Sequence, residues 1–303
     1  MAPVDLEARL GPLVLRSPLV AASGTVGSVW EWAEVADVTV YGAAVAKSVS
    51  GTPWAGRPAP RLAPVPTGML NAIGIQNPGI EAWSNEMTGH IARLEVPVWG
   101  SAVGETPEEF ALVAGGEEAA GVQAVEVNLS CPNLEEGRIF ALDPKLSAEV
   151  VRAVTERVDI PVGAKLSPAA EDIVAIAQAV RDSGADFVTL TNTLPGLDID
   201  SRSGRPVLSA ATGGYSGPGL KPVSLRCVYE VARAVPELAI LGCGGVASGR
   251  DVLQYMMAGA SAVGIGTTHF AEPRAGKRIM RELEREMRRI GVSGLAEVKG
   301  WAL

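Results

Sequence analysis

Short apolar segments recur along the chain, and segments with a helical hydrophobic stripe lie between them. This alternation is typical of parallel strand–helix–strand units. Eight segments are predicted to be core strands, at residues 19–23, 43–47, 97–101, 124–128, 161–165, 186–191, 239–243 and 262–266. Their near-continuous apolar character fits strands that are covered on both faces. Residues 6–15 predict a short hairpin that turns at Gly11-Pro12 and closes one end of the fold.

The predicted helices begin at recognisable capping residues. Thr106 is followed by a proline and, three residues on, by Glu109, which is a capping box with proline at the first helical position. Ser248 begins a second helix, which ends at Gly259. Two further helices are predicted from apolar residues at helical spacing, at residues 171–183 and 273–290.

Two connections, residues 48–79 and 193–222, are too long for simple turns. Both follow predicted strands and therefore lie at the same end of the fold, where long loops are usually lids or binding loops. Eight strands alternating with helices in 303 residues predict a (β/α)8 TIM barrel, with residues 1–303 as a single domain. A doubly wound sheet is the competing architecture, but no Gly-x-Gly-x-x-Gly fingerprint follows an early strand.

Composition excludes several classes of function. The net charge is -8 and no basic run occurs, which argues against a nucleic-acid partner. Three scattered cysteines argue against a disulfide framework and favour a reducing cytoplasm. The N-terminus lacks a signal-peptide core, and no apolar run is long enough to span a bilayer, so we expect a soluble cytoplasmic protein.

Polar residues and glycines follow directly after the apolar runs, where a TIM barrel carries its chemistry. In strand order these residues are Ser23, Lys47, Ser101, Asn128, Lys165, Asn192, Gly244-Gly245 and Gly266-Thr267. Cys131 lies just past the fourth of these strands, on a loop that Pro132 prevents from continuing as a strand. Two lysines, two asparagines and a cysteine at one rim indicate a site.

The glycines after the last two strands indicate what the site holds. Glycine-rich loops there expose backbone N–H groups beside a helix start, which favours a phosphate group. Phosphorylated substrates and flavin mononucleotide (FMN) both use such a cradle, so the pattern leaves these alternatives open.

The motifs together resemble a family, over essentially the whole chain. The most specific are Met-Leu-Asn-Ala-Ile-Gly-Ile-Gln-Asn-Pro-Gly at residues 69–79 and Asn-Leu-Ser-Cys-Pro-Asn at residues 128–133. Supporting matches are Ala-Lys-Ser at 46–48, Ala-Lys-Leu-Ser-Pro at 164–168, Thr-Asn-Thr at 191–193 and Gly-Tyr-Ser-Gly-Pro at 214–218. With their order and spacing, these motifs are similar to the cytoplasmic, cysteine-using (class 1) dihydroorotate dehydrogenases.

The resemblance implies a role for each matching residue. It implies that Cys131 is the base at C5 of dihydroorotate while C6 gives a hydride to FMN. The residues implied to contact FMN are Ser23, Lys47, Ser48, Ser101, Asn128, Lys165, Thr191, Gly217, Gly244, Gly245, Gly266 and Thr267. Those implied to hold the substrate are Lys47, Asn71, Ala72, Ile73, Gly74, Ile75, Asn128, Asn192 and Thr193. No metal is implied.

One further resemblance indicates where the electrons go after the flavin. Residues 133–143 resemble the NAD-linked class (class 1B), in which a separate subunit carries FAD and an Fe–S cluster. That class implies a homodimer of this chain, within a heterotetramer. The chain departs from the family pattern at Ser101, where asparagine is usual, at Ser48, where threonine is common, and around Trp54, which lacks the usual Gly-Asn.

Two rival functions remain open at this stage, and a third, a flavin-binding scaffold that has lost turnover, is disfavoured by the intact Cys131 and both lysines. A related FMN barrel could act on another dihydropyrimidine, although such relatives commonly carry histidine where Asn133 stands. A flavin-free lyase or isomerase could use the cradle for a sugar phosphate, with Lys47 or Lys165 as base. Cys227, Cys243, His90 and His269 are predicted to be structural, because none has the spacing of a catalytic or metal site.

Overall fold

A computed structural model describes residues 4–129 and 140–303. In chain order its strands are β1 (Ala8–Leu10), β2 (Leu13–Leu15), β3 (Leu19–Ala21), β4 (Ala43–Val45), β5 (Leu62–Val65), β6 (Gly68–Asn71), β7 (Val98–Ala102), β8 (Val125–Asn128), β9 (Val162–Leu166), β10 (Phe187–Leu190), β11 (Leu194–Gly196), β12 (Ile199–Asp200), β13 (Arg205–Pro206), β14 (Gly213–Ser216), β15 (Ala239–Cys243) and β16 (Ala262–Ile265). Its helices are α1 (Trp30–Ala33), α2 (Ile80–Ile91), α3 (Pro107–Ala119), α4 (Pro144–Thr155), α5 (Ile173–Asp182), α6 (Lys221–Ala234), α7 (Gly249–Met257), α8 (Thr268–Ala271), α9 (Ala275–Ile290) and α10 (Leu295–Val298).

Eight parallel strands close into a barrel in the order β3, β4, β7, β8, β9, β10, β15 and β16, and β16 pairs back to β3. These are the eight predicted strands, and their ends agree with the prediction to within two residues. The helices pack outside. The predicted (β/α)8 TIM barrel is therefore confirmed, and the doubly wound sheet is excluded.

An apolar layer fills the barrel below its rim. It contains inward-facing residues such as Val45, Trp99, Phe187 and Leu241, and the β1–β2 hairpin packs on the same cluster. Gly163 makes room for this layer, because a Cβ there would lie 2.2 Å from the Phe187 ring. The predicted hairpin is confirmed as the closure of one barrel end.

The predicted helix starts are confirmed, with one difference. The Thr106 hydroxyl accepts a hydrogen bond from the Glu109 N–H at 3.2 Å, and the Ser248 hydroxyl accepts one from the Asp251 N–H. The Glu109 carboxylate, however, accepts from the N–H groups of Glu105 and Gly51 instead of returning to Thr106. The reciprocal half of the predicted capping box is therefore replaced by a contact that ties α3 to the loop after β4.

The two long connections are not plain loops. Strands β5 and β6 come from the first, β11 and β14 come from the second, and they form one antiparallel sheet in the order β5, β6, β14, β11. Asn71 pairs with Gly214 across its centre. The many proline and glycine residues of the two connections kept the sequence from predicting these strands. Gly68 is needed for close approach, since a Cβ there would lie 1.9 Å from the Ser216 carbonyl oxygen.

No helix among residues 4–129 and 140–303 is both long enough and apolar enough to cross a membrane.

Candidate active site

A cavity of about 470 Å³ lies at the carboxyl ends of the barrel strands, and the four-stranded sheet contributes part of its wall. Cavities of this size are typical of small-molecule and cofactor sites. Its lining includes the predicted residues Ser23, Lys47, Ser48, Asn71, Ala72, Ile73, Gly74, Ile75, Asn128, Lys165, Thr191, Asn192, Thr193, Gly217, Gly244, Gly245, Gly266 and Thr267. Cys131 and Asn133 lie outside the residues that the structure describes.

The structure does not bring Ser101 to the cavity surface. Ser101 is fully buried, and its hydroxyl lies 2.9 Å from the hydroxyl of Ser48. Ser48 is in turn 3.4 Å from the Ser23 hydroxyl and accepts a hydrogen bond from the Asn128 amide. The Asn128 carbonyl oxygen accepts from the Asn192 amide at 3.1 Å. Ser101 therefore supports a chain of polar side chains that reaches across the cavity floor.

Strand β14 lies between β6 and β11, and it therefore brings Asn71 and Thr193 to the same part of the cavity. The Asn71 amide donates to the Gly214 carbonyl oxygen at 3.2 Å. A Cβ on Gly214 would lie 2.1 Å from the Thr193 hydroxyl, so only glycine fits between the two side chains. The Thr193 N–H donates to the Asn192 side chain. Amide and hydroxyl groups thus converge from two distant segments, which suits a small ring with both donors and acceptors.

Among the described residues, the charged side chains that line the cavity are cations. Lys47, Arg57 and Lys165 line it, and no carboxylate does among the residues described. Burying an anion is favourable only beside such cations or hydrogen-bond donors. The cavity is therefore suited to a ligand with one or more anionic groups. Sequence reasoning missed Arg57, because nothing local distinguishes it from other arginines in a proline-rich segment.

A buried carboxylate balances one of the lysines from below. Glu126 Oε1 lies 3.6 Å from Lys165 Nζ, and Glu126 Oε2 accepts a hydrogen bond from the Thr189 hydroxyl at 2.6 Å. Burial is the largest single effect and lowers the pKa of Lys165, but the charge and side-chain contact of Glu126, together with the nearby Cys243 sulfur, outweigh it, and the pKa lies above its usual value. Sequence reasoning missed Glu126, although a charged residue between Val125 and Val127 in an otherwise apolar strand was a signal.

The glycine turns after β15 and before α6 form the other end of the cavity. Gly217, Gly244 and Gly245 have positive φ angles of 103°, 137° and 68°. A Cβ on Gly244 would lie 2.1 Å from the Ser224 hydroxyl, and one on Gly245 would lie 2.8 Å from the Gly217 carbonyl oxygen. Only glycines fit these turns, so they can form a tight backbone cradle for a phosphate group.

The residues predicted to be structural are placed as follows. Cys227 and Cys243 are buried, although Cys243 also lines the cavity and burial raises the pKa of its thiol. His269 is held between the hydroxyls of Thr25 and Tyr41, and burial lowers its pKa to about 4. His90 stacks on Trp30. Trp54 pairs with Asn77 through backbone hydrogen bonds and does not line the cavity. Within the described part of the chain, no group of three or more His, Cys, Asp or Glu residues is arranged to hold a metal ion.

Comparison with known proteins decides the family. The family model for dihydroorotate dehydrogenase matches residues 6–287. The chain belongs to the dihydroorotate dehydrogenase family. Relatives named as the catalytic subunit of dihydroorotate dehydrogenase B (NAD(+)) match almost end to end. The one from Pelobacter propionicus is 44% identical over 298 residues, 98% of each chain. The one from Anoxybacillus flavithermus is 42% identical, covering 97% of this chain and 95% of the relative.

The dihydroorotate dehydrogenase fold is also seen in solved structures. The crystal structure of DHODH from Eimeria tenella in complex with ferulenol superposes with a TM-score of 0.85. The match covers 98% of this chain and 88% of that chain at 19% identity, so it shows that the fold is shared.

Proposed function

We propose that this chain is the catalytic subunit of an NAD-linked dihydroorotate dehydrogenase, which oxidises (S)-dihydroorotate to orotate in pyrimidine biosynthesis. The observation that carries the proposal is the composition of the cavity lining, in a chain that belongs to the dihydroorotate dehydrogenase family. Among the described residues the lining has three cationic side chains and no carboxylate, beside a set of converging amides. Dihydroorotate is a small ring with amide edges and one carboxylate, and this lining is complementary to both.

FMN is the proposed cofactor, and the residues present fit it. The glycine cradle, in which an added Cβ would clash at Gly244 and Gly245, suits the phosphate, and the cations suit its charge. When bound, FMN supplies the hydride acceptor and passes electrons onward. The residues proposed to hold its phosphate are Gly217, Gly244, Gly245, Gly266 and Thr267. Those proposed at its ring are Ser23, Lys47, Ser48, Asn128, Lys165 and Thr191.

The substrate is proposed to lie beside the linked asparagines. Asn128 and Asn192 are bonded to each other and line the cavity, so each has its orientation fixed before substrate arrives. Asn71, at the end of β6, and Thr193, just before β11, line the same cavity, and Lys47 balances the carboxylate. The turn of Ala72, Ile73, Gly74 and Ile75 lines the same cavity.

Cys131 is proposed as the base that takes the proton from C5. Cys131 follows Asn128, the last residue of β8, by three positions in the sequence, and Asn128 lines the cavity. A thiol with a pKa near 8.5 is only a few per cent thiolate at neutral pH. Activity should therefore rise toward alkaline pH.

The electrons are proposed to leave through a partner subunit that carries FAD and an Fe–S cluster, around a homodimer of this chain. The names of the relatives, which specify a catalytic subunit and NAD(+), support a partner subunit and NAD(+) as the acceptor. With three cysteines in all, this chain cannot supply four thiolates for an Fe–S cluster from its own residues. The isolated chain should reduce artificial acceptors but not NAD, and rapid NAD reduction by the chain alone would contradict the partner.

An anaerobic visible spectrum of the purified chain tests the function. We expect a yellow protein that dihydroorotate bleaches and dihydrouracil does not. Bleaching by dihydrouracil would assign another dihydropyrimidine as the substrate. A protein that binds no flavin would overturn the cofactor and favour the lyase or isomerase alternative.

A further inference from the structure

Glu126 is a buried charged group that the proposed reaction does not yet use. It is 1% exposed, and it lies at the centre of β8. Its neighbours Val125 and Val127 pack in the outer core with the helices. Because successive side chains of a strand point to opposite faces, Glu126 points into the barrel. An ionised carboxylate in such a place is costly unless it is paired.

Three adjacent strands bring the partners of Glu126 together. In the barrel register Thr189 of β10 lies opposite Lys165 of β9, and β9 is also paired with β8. Lys165 is 6% exposed but lines the cavity, whereas Thr189 and Glu126 do not. The ammonium of Lys165 therefore lies between the carboxylate below it and the cavity above it. The apolar layer with Trp99 and Phe187 fills the barrel interior farther from the rim.

The contacts on Glu126 divide between its two oxygens. Oε2 is fixed by the Thr189 hydroxyl at 2.6 Å, and Oε1 is 3.6 Å from Lys165 Nζ. Oε1 accepts no hydrogen bond from any residue in ranges 4–129 and 140–303, so the lysine charge is its evident partner there. Thr189 thus sets the direction of the carboxylate, and the carboxylate sets the position of the ammonium.

We propose that Glu126 is a positioning residue, which holds the Lys165 ammonium, in its charged form, against the cofactor face of the cavity. Its role in turnover rests on the proposed function, since a cation at this point favours the negative charge that a flavin ring gains on reduction. The pairing itself does not depend on the substrate.

Several groups surround Lys165 and must be considered in any titration. Within residues 4–129 and 140–303, the titratable and charged groups that face it or share its cavity are Glu126 from β8, Cys243 from the end of β15, Lys47 from beyond β4 and Arg57 from the loop before β5. Glu126 is the carboxylate among them. The Cys243 thiol is neutral near pH 7, because burial raises its pKa. Removing the Glu126 charge therefore takes away the carboxylate that opposes the effect of burial on Lys165, and the pKa of Lys165 must fall.

The experiment is a pH titration of lysine side chains by NMR in cofactor-free protein labelled with ¹³C at the lysine ε-carbon. The chain has six lysines, so the spectrum is simple, and loss of one signal in Lys165→Met assigns it. We expect Glu126→Gln to lower the titration midpoint of Lys165 by about 2 pH units or more. Glu149→Gln, which removes an exposed carboxylate on α4, should leave it unchanged. An unchanged midpoint in Glu126→Gln would overturn the proposal.

A second measurement connects the pairing to the cofactor. The reduction potential of bound FMN, measured by chemical reduction, should become more negative in Glu126→Gln at pH values above the lowered titration midpoint of Lys165. In Lys165→Met the potential should become more negative at all pH values. If Glu126→Gln does not fold, Glu126→Asp keeps the charge but shortens its reach. A downward shift of the Lys165 titration midpoint by less than about 2 pH units in Glu126→Asp would support the proposal, and no shift would overturn it.

The two hypotheses fail separately. If dihydroorotate does not reduce the wild-type flavin while the Lys165 midpoint still shifts, the substrate is wrong and the role of Glu126 stands. If dihydroorotate reduces the flavin and the midpoint does not move, the role of Glu126 alone is wrong.

Discussion

Replacing Glu117 with glutamine should stabilise the protein, by an amount that grows with pH. Glu117 lies on α3 with no exposed surface, and one carboxyl oxygen accepts a hydrogen bond from the Ser101 N–H at 2.7 Å. The other oxygen has no partner among the described residues. Gly100 makes room for it, because a Cβ there would lie 2.4 Å from that oxygen. The carboxyl group is therefore enclosed without a counter-charge.

Burial raises the pKa of Glu117 from 4.5 to about 8, although the Ser101 hydrogen bond opposes the rise. Below pH 4.5 the carboxyl is protonated in both the folded and the unfolded chain, so folding is unaffected. Between pH 4.5 and 8 only the unfolded chain releases the proton, and the free energy of unfolding falls by about 1.4 kcal/mol per pH unit. The folded state is then destabilised by about 1 kcal/mol at pH 5 and about 4 kcal/mol at pH 8.

Glutamine has nearly the shape of the protonated acid and keeps the acceptor for Ser101, but it does not titrate. We expect Glu117→Gln to unfold at a higher urea concentration than wild type at pH 8, with a gain of about 4 kcal/mol, and with a gain of about 1 kcal/mol at pH 5. Urea unfolding followed by circular dichroism at both pH values measures this. Glu149→Gln, at an exposed position on the neighbouring helix α4, is the matched control and should show no such pH dependence. Equal gains at the two pH values, or a loss at pH 8, would refute the reasoning.

Three further predictions concern the cofactor, the base and the acid limit. The Cys131→Ala variant should retain FMN, and dihydroorotate should reduce that flavin at least about 100-fold more slowly than in wild type, as measured by anaerobic stopped flow. A wild-type rate of flavin reduction would show that Cys131 is not the base. Gly244→Ala should weaken FMN binding at least about tenfold in a fluorescence titration, because the new Cβ meets Ser224 and the φ of 137° is strained. Gly89→Ala, with nothing within 4 Å, should bind FMN as wild type does, and equal affinities for both variants would contradict the cradle. His269 has its pKa lowered to about 4 by burial, so its own contribution to the free energy of unfolding, which is full above pH 6.5, should fall by about 3 kcal/mol as the pH drops from 6.5 to 4. His269→Gln should lack this loss in urea unfolding at pH 7 and pH 4.5, and an identical acid loss in both proteins would assign it to other groups.

The sequence by itself determined the barrel and most of its rim. Strands and helices are predicted by local signals, namely apolar runs, capping residues such as Thr106 and Ser248, and glycines at helix ends. The rule that parallel strands present their carboxyl ends to one face then placed Lys47, Asn128 and Lys165 in one site without any knowledge of contacts. The structure brings all three to the same cavity.

Tertiary structure alone decided which segments meet and which way buried side chains point. The pairing of β6 with β14, which joins Asn71 to Gly214, links residues far apart in sequence, and neither strand carries a clear periodic signal of its own. Strands covered on both faces are apolar on both, so the pattern cannot tell the barrel interior from the helix side. Ser101 does face the barrel interior, but it was expected at the cavity surface and instead lies behind Ser48, because the side chains that pack above a strand residue decide how deep it lies. Glu126, inside the barrel beneath Lys165, was recognised only from the closed barrel, because its face could not be read from the apolar pattern.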